Sequence, residues 1–274
     1  MKLKLKNNKI IIFIIILLLI LLVRIIYYNF NLMEVMWYDK YSIIAHALGE
    51  IDGYSYTNSY ESFLKSYNNG VRVFDADVKK TSDGEFVLRH DWNDDLKTYY
   101  NSGTIPTLEE FKMNKIYGKY TPITLEEFLK LMDKYSDIYV AFDAKNNIID
   151  VWKNIVNLAK KNNLESVLNR VIVSFYSYED YYNLKEIYSF KNYAIRYYWD
   201  DKSCDELLDF CNKNNIKVIN VMKSRLNKEG CNLYQGGINI FIAVENDIKE
   251  FNNYKKLGIK GVVSDFIKEN MLVK

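Results

Sequence analysis

The sequence predicts an α/β fold, a (β/α)8 barrel preceded by a single N-terminal transmembrane helix. Three observations carry that prediction. Short apolar runs alternate with amphipathic helical patterns along most of the chain, which implies parallel strands joined by right-handed crossovers. About eight such units fit into some 240 residues, the size of a closed barrel. Ahead of them stands a separate, uninterrupted apolar stretch.

That stretch is Ile10 to Val23, fourteen consecutive apolar residues followed by Arg24, Ile25, Ile26, Tyr27 and Tyr28. A helix rising about 1.5 Å per residue needs roughly 20 residues to cross the hydrocarbon core. Residues 10–28 approach that length if Arg24 snorkels and the two tyrosines lie at the headgroup level. Lys2, Lys4, Lys6 and Lys9 precede the run, so the predicted orientation is a cytoplasmic N-terminus with the remainder outside the cell membrane. The run is long for a cleaved signal peptide and no A-x-A-like site follows it. The predicted organisation is a basic tail over 1–9, an anchor over 10–28, a linker over 29–40 and a barrel domain over 41–274.

Each element of the barrel has its own signal. Ser42 to His46 reads as a buried strand. Tyr60, Phe63, Leu64 and Tyr67 share a helical face that ends at Asn69-Gly70. Strands follow over 71–78 and 86–90, with Ser82-Asp-Gly84 as the turn between them. Residues 92–120 form a long polar connection with a short helix starting near Pro106-Thr107. Thr124 and Glu127 form a capping box ahead of the stripe Leu125, Phe128, Leu129 and Met132. Strand and helix then alternate: strand 138–142, helix 148–162, strand 171–175, helix 178–188, strand 193–198, helix 203–213, strand 216–221, strand 239–244, helix 247–257 and strand 261–264.

Charge excludes one class of function. With the five basic residues of the first 33 positions set aside, the remainder carries 32 basic against 35 acidic residues. A slightly acidic domain gives no support for nucleic-acid binding. The three cysteines, Cys204, Cys211 and Cys231, contain no CxxC pair. Cys204 and Cys211 lie two helical turns apart, too far to bridge. Buried free thiols are the expectation, and a bridge from Cys231 to either one stays open.

The chain has only two histidines, His46 and His90, and both fall at predicted strand ends. The C-terminal ends of barrel strands carry the active site, so this placement suits an acid–base pair. Asp75 and Asp77 are two apart at another strand end and face the same way. Two such acids repel unless a cation lies between them, and a hard ion, Ca²⁺ or Mg²⁺, takes oxygen ligands of this kind. In an isolated Asp-x-Asp one carboxylate more often caps a turn; the reading as a metal site rests on the combination. Asp143 offers a third carboxylate. Lys145, two residues on, faces the same way and can neutralise phosphoryl charge.

These motifs resemble the glycerophosphodiester phosphodiesterase family, within the group that includes phosphatidylinositol-specific phospholipase C. The resemblance spans about residues 42–270. Ala45-His46-Ala47-Leu48-Gly49 is similar to the family's His-Arg-Gly opening, and Tyr56-Thr57-Asn58-Ser59 to its Pro-Glu-Asn-Thr. Asp75-Ala-Asp77 stands for Glu-x-Asp, His90-Asp91 for His-Asp and Asp143-Ala-Lys145 for Glu-x-Lys. Val173-Ser174-Phe175 resembles the Ser-Phe strand and Gly261-Val-Val-Ser264-Asp265 the closing Thr-Asp.

The resemblance implies a barrel that hydrolyses a glycerol-linked phosphodiester. His46 and His90 are then general acid and base, assisted by Lys145. Asp75, Asp77 and Asp143 hold one divalent cation, and Asn58 and Lys145 contact substrate. The sequence departs from the pattern at Ala47, where the family has a phosphate-contacting Arg, and at Asp75 and Asp143, where Glu is usual. Its late Trp is absent from Phe241-Ile-Ala-Val244. Two other readings stand beside the hydrolase: a metal-independent lyase that forms a cyclic phosphate with a basic side chain in place of the metal, and a barrel that binds a phosphorylated glycan or lipid without turnover.

Overall fold

The computed structural model describes residues 15–24, 35–93, 104–198, 202–226 and 237–272. The chain divides into two compact units, Met1–Lys40 and Tyr41–Lys274. In the first, residues 15–24 are helical with exposed apolar side chains, and Trp37–Lys40 forms a single turn. No helix among the described residues is long and apolar enough to cross a membrane. The ends of the predicted span, residues 10–14 and 25–28, lie outside them.

In the second unit, eight parallel strands close on themselves: β1 (Ile43–Ala45), β2 (Val73–Lys80), β4 (Tyr139–Ala144), β5 (Val171–Phe175), β6 (Asn192–Tyr197), β7 (Val218–Met222), β8 (Asn239–Ala243) and β9 (Gly261–Ser264). Pairing of β1 with both β9 and β2 completes the barrel. The remaining strand, β3 (Phe86–Leu88), runs antiparallel to the end of β2 and lies beyond the ring. The prediction of a strand over 86–90 is corrected here. It stops at Leu88 and is a hairpin arm, because Thr81–Gly84 reverses the chain with Gly84 at φ +92°.

The helices pack outside: α1 (Tyr60–Asn68), α2 (Leu108–Met113), α3 (Leu125–Lys134), α4 (Ile148–Lys161), α5 (Tyr178–Lys185), α6 (Cys204–Lys213), α7 (Lys223–Leu226) and α8 (Ile248–Lys256). Their starts are fixed by short-range chemistry. Thr124 Oγ accepts from Glu127 N–H at 3.1 Å while Glu127 accepts from Thr124 N–H at 2.9 Å, as the capping box predicts. Similar boxes open α1, α2, α5 and α6. Each satisfies two backbone donors and contributes about 1 kcal/mol.

Strand alternation sorts the barrel's side chains. Phe74, Ala76, Val140, Phe142, Val173 and Ile195 point outward into one apolar cluster with Phe63, Phe128 and Trp152 from the helices. The intervening residues point into the barrel. There Gly261 leaves the space that the Phe241 ring fills; a Cβ would come within 2.5 Å of that ring. Cys204 is disulfide-bonded and Cys211 is a free, buried thiol. Free thiols were the expectation, with a bridge at either position left open; Cys204 is bridged and Cys211 is not. Cys231 lies outside the described residues.

Candidate active site

The barrel mouth holds a cavity of about 340 Å³ that both histidines line, with Asp75, Asp143, Lys145 and Arg196. Met222, Val244 and Val263 add an apolar part to its lining. A groove of about 590 Å³ outside the barrel, lined by residues of α4 and α5, holds none of these groups.

His46 reaches the cavity through a constrained turn. After β1 the chain enters one 3-10 turn, His46–Leu48, in which Ala47 and Leu48 take φ of +45° and +68°. Left-handed backbone costs a residue with a Cβ about 1–2 kcal/mol. Three bonds hold it: Gly49 N–H to His46 O at 2.6 Å, Asn58 N–H to Ala47 O at 3.2 Å and Ser66 Oγ–H to Leu48 O at 2.9 Å. Gly49, at φ +92°, has no room for a Cβ, which would overlap Ser66 Oγ.

The His46 ring is oriented by a carboxylate. Its Nδ1 lies 2.9 Å from Asp265 Oδ1, with both side chains buried. Burial works against a charged imidazole. The bond to Asp265 and the charges of Asp75, Asp77 and Asp265 outweigh it and raise the pKa of His46. Burial likewise opposes the Asp265 carboxylate, and His46, Asn246 and Lys268 outweigh it, so Asp265 is held below the usual range. An ionised Asp265 accepts from Nδ1–H and leaves Nε2 for chemistry.

His90 arrives differently from the prediction. It lies two residues beyond β3, on the hairpin rather than at a barrel strand end. Arg89 N–H bonds Asp77 O at 3.0 Å, which ties this segment to the rim of β2. Lys79 pairs with Asp91 at 3.2 Å and reaches His90 O at 3.4 Å. The imidazoles meet one ring: His46 and His90 stand edge-on to Tyr56, at 4.5 and 5.1 Å between centroids.

Asp75 and Asp77 face inward from β2 as their spacing predicts, and Asp143 is the register partner of Asp77 on β4. Their contacts are with side-chain cations. Arg196 Nη2 lies 2.6 Å from Asp75 Oδ1, and its Nη1 lies 3.3 Å from Asp143 Oδ2. Lys145 Nζ lies 2.5 Å from Asp143 Oδ2 and 3.0 Å from Asp77 Oδ1. Tyr176 donates to the other Asp143 oxygen at 2.8 Å. Burial raises the Asp75 pKa beyond what Arg196 offsets. At Asp143, Arg196, Lys145 and Tyr176 outweigh burial and lower it. Burial is likewise outweighed at Arg196 and Lys145, and both cations are held above their ordinary values.

The predicted metal set therefore takes another form. Members of the family generally use a divalent metal. Such an ion needs carboxylate oxygens converging at about 2.0–2.6 Å from one point. Here Arg196 spans Asp75 and Asp143 and Lys145 spans Asp143 and Asp77, and no group of three acidic, histidine or cysteine side chains among the described residues converges for a metal. The arrangement as built does not fit the ion.

Asn58 does not line the cavity. It is fully buried, donates to Asp77 Oδ2 at 2.8 Å and accepts from Asp77 N–H at 3.1 Å, so it fixes a carboxylate. Sequence reasoning gave no role to Arg196, Asp265, Tyr56 or Tyr176. Arg196 carried a usable signal, a charge inside the apolar strand 193–198. Asp265 stood in the closing motif, two residues past the last inward position.

The sequence profile of the glycerophosphoryl diester phosphodiesterase family matches residues 52–269. The chain belongs to that family. Membership makes it a phosphoric diester hydrolase. Solved structures agree on the fold. A phosphodiesterase from Oleispira antarctica, in complex with the product sn-glycerol-3-phosphate, superposes with a TM-score of 0.69 at 17% identity, covering 84% of this chain and 95% of its own. A glycerophosphoryl diester phosphodiesterase from Silicibacter pomeroyi DSS-3 gives 0.66 at 14% identity, covering 82% and 90%. One from Thermotoga maritima gives 0.58 at 20%, covering 81% and 93%. No curated protein matches the sequence.

Proposed function

We propose that this member of the glycerophosphodiester phosphodiesterase family acts at the outer face of the cell membrane, hydrolysing a glycerophosphodiester, a lysophospholipid or a glycerol-phosphate polymer, with His46 and His90 as its acid–base pair. The observation that carries the reading is the pairing of two imidazoles around Tyr56 in one cavity, with His46 held by Asp265 and two cations beside them. One imidazole takes the proton of the attacking hydroxyl, from water or from the neighbouring glycerol carbon. As that oxygen bonds to phosphorus, the bond to the leaving alcohol breaks, and the second imidazole protonates the departing alkoxide. Each such transfer contributes about 10²- to 10⁴-fold. Arg196 and Lys145 face the charge that builds on the phosphoryl oxygens.

Anchoring by residues 10–28 places the domain outside the membrane. The helical, exposed apolar side chains of residues 15–24 support the anchor. The disulfide at Cys204 suits an oxidising compartment. Protease added to intact spheroplasts is expected to digest the barrel and spare a short N-terminal fragment; full protection overturns the orientation.

The function is tested with the full chain in detergent against the three substrate classes. His46→Ala and His90→Ala are each expected to abolish hydrolysis, and full activity in His90→Ala sinks the reading. Accumulation of a cyclic phosphate by ³¹P NMR assigns the lyase instead. Ligand binding without turnover, with and without divalent ions, assigns a binding barrel.

A further inference from the structure

We propose that Arg196, seconded by Lys145, takes the electrostatic place of a divalent ion, so that cleavage in this chain runs on a guanidinium and an ammonium and needs no metal. The inference rests on the phosphodiesterase reading above and names the cation of that same site.

Position argues for it first. Arg196 is the last inward residue of β6, 4% exposed, and lines the cavity with both histidines. Its two Nη atoms reach across from Asp75 to Asp143, the two positions where Asp replaces the usual Glu. Each replacement withdraws a carboxylate by one methylene. The planar guanidinium bridges the gap with one charged hydrogen bond from each Nη, one to each carboxylate.

Composition argues for it next. Ala47 stands where the resemblance has a phosphate-contacting Arg, and the guanidinium that lines this cavity comes from β6. Arg196 Nε is buried and has no hydrogen-bond partner among the described residues. An unspent buried donor beside a cavity is expected to find an acceptor, and a phosphoryl oxygen is one. Arginine stays charged at any working pH, so the charge is permanent.

Charge sets the consequence. Arg196 and Lys145 against three carboxylates leave the cluster at −1, whereas a divalent ion with Lys145 would bring it to zero. Arg196 holds Asp75 and Asp143 by one hydrogen bond each, so an added ion must displace the guanidinium to reach them.

The test uses the full chain in detergent, with Ca²⁺ and Mg²⁺ as probes. Hydrolysis is expected to stay within twofold after exhaustive chelation. Neither ion is expected to raise the Tm of the wild type. Arg196→Gln opens the three carboxylates, so it is expected to lose hydrolysis at least 100-fold and to gain a Tm rise of about 5 °C or more with an ion in large excess over its Kd. Loss of hydrolysis on chelation with recovery on adding either ion overturns the proposal. So does a wild-type Tm rise that Asp143→Asn removes, and this arm decides the question even where Arg196→Gln does not fold. If no phosphodiester is cleaved with or without ions, the functional reading fails, and the thermal arm still decides which cation the cluster holds.

Discussion

Replacing Asp265 with Asn tests the acid–base reading at one atom. Asn246 fixes the outcome. Its Oδ1 accepts from Ser264 Oγ and from Asp265 N–H, both at 2.8 Å, so its amide cannot turn over. Its Nδ2 therefore points at Asp265 Oδ2, 2.9 Å away. An amide at 265 satisfies that donor with its carbonyl oxygen and turns its NH₂ toward His46 Nδ1. The ring must then accept at Nδ1 and carry its proton on Nε2, the wrong tautomer for a base at Nε2. Loss of one buried hydrogen bond to a charged partner is about 1.5–3 kcal/mol, or about 10- to 150-fold in kcat/KM. Tautomer inversion extends the loss toward about 10⁴-fold.

The pH profile adds a readout that a packing defect does not move. Asp265 helps raise the His46 pKa, so its neutralisation lowers that pKa. If His46 acts as base, the acid limb of kcat/KM moves to lower pH. If it acts as acid, the alkaline limb does. The assay is kcat/KM from about pH 5 to 9 on the preferred substrate. Asp265→Asn combined with Asn246→Ala frees the new amide to rotate and is expected to recover about tenfold, because its oxygen can again accept from Nδ1–H. Activity within threefold of wild type with both limbs unmoved refutes the orienting role.

Three further outcomes follow from contacts near the site. Burial pulls the Lys268 ammonium down to about 8, against the attraction of Glu50 and Asp265. Between that value and its ordinary one the unfolded chain binds the extra proton, so stability rises with pH; the Tm gain from about pH 7.5 to 9.5 is expected to shrink in Lys268→Met. Gly49→Ala forces a Cβ onto a left-handed residue and against Ser66 Oγ, which costs about 3 kcal/mol and lowers Tm by about 6–12 °C by calorimetry. Tyr56→Phe keeps the ring that both imidazoles touch and is expected to hold kcat within threefold. Tyr56→Ala removes it and costs about tenfold, read by steady-state kinetics.

What the sequence made legible was local. Thr124 and Glu127 announce a helix start because a capping box uses only four residues. Val171 to Phe175 reads as a strand because four of its five residues are apolar and three of them β-branched. Asp75 and Asp77 share a face because a strand repeats every two residues. The failures were relations between segments. Phe86 looks like a barrel strand, and only its antiparallel pairing to Val78–Lys80 takes it out of the ring. Asp75, Asp77 and Asp143 look like a ligand set until β6 is placed opposite them, since Arg196 is 121 positions from Asp75. Nothing in local patterning reports a contact at that separation.

The same alternation explains how the site can change while the barrel stays. Outward residues of β2, β4 and β6 carry the packing with the helices, and inward ones carry the charge. An arginine at an inward position of β6 therefore disturbs no helix contact. It does face a desolvation cost of several kcal/mol, which only paired, hydrogen-bonded carboxylates offset. Asp75 and Asp143 meet that condition, and each of them, equally buried, would be stranded without a cation. The three residues are thus bound to one another energetically: the carboxylates without Arg196 leave uncompensated charge, and Arg196 without them leaves a buried cation unpaired. A substitution at any one of them is read correctly only with the other two in view.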